Sequence, residues 1–463
     1  MLATTEKIGI AVLDSFLQQV EEISFAEDDG EKLRHKDFYI GSIEHLLKMV
    51  KERQWDIGMK NELPHFYNGE FWQRIDKDTF RYFLQATGMM QGIPRKVIKD
   101  HLFVEKLVKQ FASEARFPVP TTNDIPKINL RNCTLHFTSN GIEQKPFDKQ
   151  DGLTYQLHYD YDPSATATQF KAFLDRVLPD IALQKLLFQY VGYVFLRGLK
   201  LDKILFLFGG GANGKSVFLN IIRALIGVEQ CCEFSLEGIT KSETQRAELG
   251  NYLLNVSTEI STRMAKDIFK KIASREPLQA RSLYKQPFTL WDYATSVFAM
   301  NELPKEVELT DAFFRRFIII PFSVRIPDSE QDPDLSQKII DYEMSGVLNY
   351  VIEGMMSLIG DRKFDIPASA QGAVNQFQQE SDTVASFLDN NGFRPSLKHH
   401  VPFGEMYDSY EKECVADNFL AVGKNIFGKR LRKLGFNVSK RGHEKLTVVF
   451  AETVDADCAD NAD

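Results

Sequence analysis

Residues 204–222 read ILFLFGGGANGKSVFLNII, and the rest of the chain can be arranged around this stretch. Its apolar run, Ile204–Phe208, predicts a buried strand, and the residues after Gly214 keep the spacing of one helix face. Between them, residues 209–216 match the phosphate-loop pattern G-x-x-x-x-G-K-[ST]. A glycine loop between a strand and a helix is the setting in which this pattern binds phosphate. The sequence therefore predicts a site for a nucleoside triphosphate.

Each residue type in this loop has a chemical reason. Glycines let a polyphosphate lie against backbone N–H groups, and the positive end of the next helix faces the phosphates. Lys215 can reach the β- and γ-phosphate oxygens, and the Ser216 hydroxyl can ligate Mg²⁺. We therefore expect ATP and Mg²⁺ as cofactors. The predicted nucleotide-binding residues are Gly209, Gly210, Gly211, Ala212, Asn213, Gly214, Lys215, Ser216 and Val217.

The composition is that of an ordinary soluble protein, with 463 residues, 43% apolar and 26% charged, and a net charge of −8. The longest apolar stretch, residues 186–196, is too short to span a bilayer, and the first residues lack the features of a signal peptide. We therefore expect a cytoplasmic protein without a membrane partner. Five cysteines and no C-x-x-C pair argue against a disulfide framework and a zinc site.

The order of patterns predicts an α/β protein of three domains and a tail. Residues 1–195 should form a mainly helical α+β domain, residues 196–365 the nucleotide-binding domain, and residues 380–450 a small DNA-binding domain. Residues 364–379 are interpreted as a linker, and residues 451–463 as a disordered acidic tail. Within the first domain, Asn68 and Gly69 between aromatic runs predict a hairpin, and residues 128–137 predict a strand.

Four apolar runs, at residues 204–208, 252–257, 296–300 and 317–322, alternate with helical segments. This alternation predicts a parallel sheet whose ligands bind at the carboxyl ends of the strands. Glu259 and Asn301 follow the second and third of these strands. A glutamate there can hold Mg²⁺ or activate water, and an asparagine can sense a γ-phosphate. An exposed strand-end glutamate and a turn asparagine are the alternatives that the residues leave open.

Arg315 and Arg316 directly precede the last strand, in residues 311–322, DAFFRRFIIIPF. A guanidinium suits a γ-phosphate and could act across a subunit interface as an arginine finger. A surface pair that bridges to carboxylates is the alternative, and for one of the two arginines it is the expected one.

The order and spacing of four motifs resemble those of the superfamily 3 helicases, and most closely the phage, plasmid and poxvirus primase-helicase branch. The motifs are GGGANGKS, TE, AMNELP and FRRFIIIPF. HFYNGEFWQRI, INLRNCTLHF and YDYDPSA are similar to the domain before the helicase in that branch, so the resemblance covers residues 60–450. It implies an AAA+-like P-loop ATPase, a homo-hexamer, Asn301 as sensor 1 and Arg316 as the finger, with Arg315 as its substitute. Thr258 and Glu259 depart from the family's two adjacent acids, and no primase catalytic domain is recognisable upstream.

Two basic segments predict contacts with DNA. The resemblance implies a DNA-gripping hairpin within residues 267–290, which are rich in Lys and Arg. Residues 425–445 combine helical apolar spacing with a basic pair of strands, the pattern of a winged helix. A solvated basic loop, and a basic surface for an acidic partner, are the alternatives. The predicted DNA-binding residues are Lys271, Arg281, Tyr284, Lys285, Lys429, Arg430, Lys433 and Arg441.

These patterns together predict an ATP-dependent DNA helicase that acts on single-stranded and forked DNA in replication of a phage, plasmid or other mobile element. Two alternatives stay open: a helicase subunit that works with a separate primase or polymerase, and a DNA-binding ATPase regulator that does not unwind. A small-molecule kinase is disfavoured because it leaves the basic C-terminal segment unexplained.

Overall fold

A computed structural model describes residues 10–26, 33–52, 55–115, 117, 125–138, 141–258, 264–304, 307–417, 419, 421–441 and 446–453. The chain is a mixed α/β protein whose largest sheet has five parallel strands. The predicted α/β class with a parallel sheet is confirmed. Within the described part of the chain, no helix is long and apolar enough to cross a membrane.

The N-terminal elements pack helices against a three-stranded antiparallel sheet. The rings of Phe16, Phe66 and Phe83 are fully buried at its centre, with Phe16 in contact with the other two. The predicted hairpin is confirmed, since the Asn68 side chain accepts the N–H groups of Glu70 and Phe71 across the turn. The elements are α1 (Ala11–Leu17), α2 (His35–Glu52), β1 (Asp56–Lys60), β2 (Leu63–Tyr67), β3 (Trp72–Arg74), α3 (Lys77–Met90), α4 (Arg95–Ile98) and α5 (His101–Glu114).

A second antiparallel sheet and two helices follow. The single strand predicted over residues 128–137 is wrong, because the Leu130 N–H donates to Cys133 O and closes a turn between two antiparallel strands. After this sheet, Asp160 forms an ion pair with Arg131, and the Asp162 carboxylate accepts the N–H of Ser164 in a turn. The elements are β4 (Lys127–Asn129), β5 (Thr134–Thr138), β6 (Gly141–Lys145), α6 (Thr168–Val177) and α7 (Ile181–Tyr193).

The five-stranded sheet forms the centre of the chain, with the strand order β13-β7-β12-β9-β8. Alternate residues of its β7 strand enter two different apolar cores, Leu205 and Leu207 on one face and Ile204 and Phe206 on the other. Both faces are therefore covered, as expected for a parallel sheet. The edge strand β8 was not predicted. The elements are β7 (Ile204–Phe208), α8 (Lys215–Ile226), β8 (Cys231–Cys232), α9 (Leu236–Lys241), α10 (Glu243–Leu249), β9 (Leu254–Ser257), α11 (Lys266–Ala273), β10 (Leu278–Ala280), β11 (Phe288–Leu290), β12 (Thr295–Met300), α12 (Asp311–Phe314) and β13 (Phe317–Pro321).

Three helices follow the sheet: α13 (Leu335–Tyr342), α14 (Met344–Asp361) and α15 (Ala368–Glu380). The linker predicted at residues 364–379 is wrong, because most of it belongs to α15. Val374 and Phe377 of this helix are buried, and the Phe377 ring contacts Phe314 and Phe317 beside the edge strand β13. Burial of two apolar side chains stabilises a helix that its polar composition alone does not indicate.

The C-terminal residues have an apolar core of their own, in which the Tyr410 and Phe427 rings stack with centroids 4.7 Å apart. The predicted order of a basic helix followed by two paired strands is confirmed. The disordered tail predicted from residue 451 is wrong for residues 451–453, which end a strand; residues 454–463 lie outside the described residues. The elements are α16 (Thr383–Asn390), β14 (Phe393–Pro395), β15 (Val401–Pro402), α17 (Phe403–Ala416), α18 (Lys424–Lys433), β16 (Asn437–Arg441) and β17 (Leu446–Thr453).

Candidate nucleotide site and nucleic-acid surfaces

The glycine loop joins β7 to α8 at the carboxyl edge of the central sheet and is packed against its surroundings at both ends. A Cβ added at Gly209 would lie 2.3 Å from Phe322 O. At Gly214, φ is +83° and a Cβ would lie 2.8 Å from Val177 Cγ1. Only glycine therefore fits these two positions without a shift of the backbone.

The middle of the loop is open instead. A Cβ added at Gly210 or Gly211 would meet no atom within 4 Å. Beside the loop lies a cavity of about 660 Å³, a size typical of small-molecule sites. It is lined by the loop, the ends of two strands, α6 and the segment after β13, namely Phe173, Gly210, Gly211, Ala212, Asn213, Gly214, Lys215, Ser216, Val217, Thr258, Ala299, Met300, Asn301, Ile326, Glu330, Gln331, Asp332, Pro333 and Leu335.

The Lys215 side chain is the cation at the centre of this site. Its ammonium donates to Gly209 O at 2.6 Å, to Gly210 O at 2.9 Å and to Asn301 Oδ1 at 3.3 Å. Burial lowers the pKa of Lys215 from its ordinary value. Phosphate oxygens are stronger acceptors than these carbonyls, so a bound triphosphate can replace them as the partner of this ammonium.

Two of the other predicted site residues lie in reach of this ammonium or border the same cavity. Asn301 directly follows β12 and contacts Lys215, and Ser216 is exposed to the cavity at the start of α8. The Ser216 hydroxyl is of the oxygen type that Mg²⁺ prefers. Glu259 lies outside the described residues, so its predicted contact with metal or water stays a prediction. Glu330 and Asp332 also line the cavity and were missed, since they lie beyond the last strand rather than at its end.

Arg315 and Arg316 lie at the opposite edge of the sheet. In the parallel register Phe317 faces Ile204, and Ile204 N–H donates to Arg316 O, so both arginines precede the amino end of β13. The Arg315 side chain is exposed. The Arg316 guanidinium donates to Ala312 O, and its buried Nε has no hydrogen-bond partner among the described residues. One chain therefore does not bring these arginines to its own glycine loop.

The predicted basic segment between the second and third site strands contains an antiparallel hairpin, β10 and β11. In its connecting loop, Tyr284 is fully exposed with φ +61°, Arg281 is exposed, and Lys285 forms an ion pair with Glu62 at 2.5 Å. Lys271 is exposed on α11 before the hairpin. Arg281, Tyr284 and Lys285 therefore share one short exposed loop, and Lys271 lies on the helix before it.

Two further residues bear on how this hairpin works. Trp291, which sequence reasoning missed, directly follows β11 and is 74% exposed. Arg275 anchors the base of the hairpin, since its guanidinium lies 3.5 Å from the Tyr193 ring centroid and donates to Thr295 Oγ1 at 2.6 Å. The base of the hairpin is therefore joined to the amino end of β12, the strand that Asn301 follows.

The basic residues near the C-terminus fall into different settings. Lys429 and Lys433 are exposed on α18. Arg430 is turned inward and pairs with Asp382, and these two side chains are only 16% and 8% exposed. Its position indicates that Arg430 orients α18 against α16. Arg441 ends β16, and its side chain lies outside the described part of the chain.

Comparison with known proteins gives partial matches. A family model described as "D5 N terminal like" matches residues 44–179, and a family of unknown function, DUF5906, matches residues 207–316. A protein of Invertebrate iridescent virus 3 named "Putative helicase 121R" is 23% identical over 306 residues, which cover 57% of this chain. The match covers 32% of that relative, so the chain spans about a third of its length.

Solved structures of the NrS-1 C-terminal region are also similar. One apo structure in the A form has a TM-score of 0.47 at 13% identity and covers 88% of this chain and 99% of its own. A second has a TM-score of 0.49 at 11% identity, with 89% and 100% covered.

Proposed function

We propose that this chain is the motor of an ATP-driven DNA helicase of replication, and that it works as a superfamily 3-type homo-hexamer. The observation that carries the proposal is the separation of its two halves: Lys215 and Asn301 meet at one edge of the sheet, whereas Arg315 and Arg316 stand at the other. A site divided in this way is completed by a second copy in a head-to-tail ring. The similarity to a viral protein named as a helicase supports the same reading.

In the proposed cycle, the loop amides and Lys215 bind the triphosphate of ATP. The Ser216 hydroxyl would hold Mg²⁺, and the ion would neutralise part of the phosphate charge when bound. Asn301 orients the γ-phosphate or the attacking water through its amide. Glu259 is proposed as the group that acts on metal or water. These residues position the reactants, which is the main contribution that a protein makes to phosphoryl transfer.

An arginine from the neighbouring copy then stabilises the charge that develops in the transition state. Arg316 is the proposed finger, and it would have to release Ala312 O before it could reach across. Arg315 is exposed and could act without that rearrangement. The pair is therefore best tested first as a unit.

Movement of DNA is assigned to the β10–β11 hairpin. Arg281 and Lys285 can neutralise backbone phosphates, and Tyr284 offers a ring for stacking on a base. Arg275 joins the hairpin base to Thr295, at the amino end of the strand that Asn301 follows, so β12 is the element that links the nucleotide site to this loop. The exposed lysines of α18, Lys429 and Lys433, are proposed as a second contact with DNA.

The deciding experiment is strand displacement on a forked DNA duplex, with and without ATP and Mg²⁺. The full chain should separate the strands only with ATP, and Lys215→Ala should separate none. ATP hydrolysis with an intact fork would favour the non-unwinding regulator instead. If the chain unwinds DNA but makes primers only after a separate primase is added, it is better described as the helicase subunit of a primase-helicase.

A further inference from the structure

Arg325 lies on the segment that follows β13. Residues before and after Arg325 in this segment are hydrogen-bonded to the glycine loop. Asn213 Nδ2 donates to Phe322 O at 3.0 Å, and Ile326 N–H donates to Ala212 O at 2.8 Å. The backbone at Arg325 is therefore held beside the loop of its own chain. No sequence pattern marked this residue, because its place depends on how the segment turns back after the last strand.

A second cavity, of about 680 Å³, opens between this segment and the loop. Arg325 and Ser323 line it together with Gly210 and Gly211. As noted above, the two glycines have open space where a Cβ would stand. Lys215 does not line this cavity, so two cavities border the loop, one lined by Lys215 and the other by Arg325. Exposed loop amides with a guanidinium at their rim suit a phosphate group.

The charge of Arg325 is not used elsewhere in the described part of the protein. Its side chain is exposed, and no carboxylate of the described residues forms an ion pair with it. Arg176, which lies near the other cavity, contrasts with it because it pairs with Glu330 at 2.6 Å. A guanidinium that stands beside a phosphate loop without a carboxylate partner keeps its donors for a ligand.

We infer that Arg325 binds the triphosphate in the same chain, from the cavity between the glycine loop and the segment after β13, which Lys215 does not line. The inference rests on the proposed nucleotide function and adds a residue to it. Arg325 differs from Arg315 and Arg316, which stand at the far edge of the sheet and serve a neighbour's site. Loss of Arg325 should therefore weaken nucleotide binding, whereas loss of the other two should mainly slow turnover.

The test is an equilibrium titration of the full chain with N-methylanthraniloyl-ATP, followed by fluorescence. Arg325→Ala should raise Kd about tenfold or more, the range expected for a hydrogen-bonded charged group. The Kd of Arg325→Lys should lie between those of Arg325→Ala and the wild type, because lysine keeps the positive charge but cannot donate two parallel hydrogen bonds as a guanidinium does. Arg95→Ala removes an exposed arginine far from the loop in sequence and should leave Kd unchanged. Thermal unfolding should be the same for all three variants, since these side chains are exposed.

Lys215→Ala separates the two levels of the argument. If it loses binding while Arg325→Ala keeps the wild-type Kd, the inference is overturned and the proposed function stands. If both variants keep the wild-type Kd, both proposals are overturned. Slower hydrolysis by Arg325→Ala at an unchanged Kd would also overturn the inference, since binding is the role assigned to this residue.

Discussion

The distance between the two edges of the sheet leads to a mixing experiment. Arg316 is one residue before the level of Ile204, and the glycine loop begins five residues beyond that level at Gly209. At about 3.3 Å per strand residue, these six residues separate the two positions by roughly 20 Å along the strands, more than an arginine side chain can span. Hydrolysis should therefore require a loop from one copy and arginines from another.

The perturbation is a pair of variants that are each inactive alone. Arg315→Ala/Arg316→Ala should retain nucleotide binding and lose about a thousandfold or more in turnover, as expected when an arginine finger is removed. Lys215→Ala should lose hydrolysis because the ammonium that meets the phosphates is gone. Mixed in equal amounts, half of the loops and half of the arginine pairs are intact. Independent sites would then recover about one quarter of the wild-type rate.

Phosphate release is measured at fixed total protein, over a series of mixing ratios, with DNA present. Recovery should be greatest near equal amounts and fall toward zero at either end. Each variant mixed with more of itself is the control. Both variants should first be shown to exchange subunits with the wild type. If they do, and their mixtures stay at baseline activity at every ratio, the divided site is refuted. Full activity of the double arginine variant alone would refute it equally. The single variants then show which arginine is the finger.

Three further outcomes follow from particular contacts. Burial lowers the pKa of Lys60 to about 8 from an ordinary 10.5. Between about pH 8 and pH 10.5 the unfolded chain therefore binds more protons than the folded one, and the free energy of unfolding should rise with pH over this range. Lys60→Met should lose that rise in urea titrations at pH 8 and pH 10. Arg430→Ala leaves the buried Asp382 carboxylate without its ion-pair partner and should cost about 1–3 kcal/mol in thermal unfolding. Lys429→Ala removes an exposed side chain and should lower DNA affinity without that loss. Lys285→Ala should make single-stranded DNA binding less salt-sensitive by about one unit of slope, and an unchanged slope would remove this lysine from the DNA path.

Local chemistry made much of the fold and site readable from the residues. The strand before the glycine loop and the helix after it follow from apolar runs and glycine spacing, and the hairpin at Asn68 follows from turn chemistry. The strand ends place Asn301 at the same edge as Lys215, because parallel strands share a carboxyl edge. The direct contact at 3.3 Å agrees with that reasoning.

Errors arose where packing overrode local pattern. The predicted linker is the helix α15 because Phe377 finds an apolar surface beside β13, and nothing in its own composition reveals that surface. The edge strand Cys231–Cys232 has only two residues, too few for any periodicity to show. The predicted DNA contact Arg430 is turned toward Asp382, and a basic run on a helix does not state which of its members faces inward.

The sequence by itself determined that a phosphate loop opens a helix after a buried strand, since these features depend on neighbours a few residues apart. Only the tertiary structure decided that Arg315 and Arg316 stand far from the loop and that Arg325 stands beside it. Strand direction and register place Arg315 and Arg316 away from the loop, and backbone hydrogen bonds between distant residues hold the Arg325 segment beside it. Such pairings join parts of the chain more than a hundred residues apart, so no local pattern can encode them.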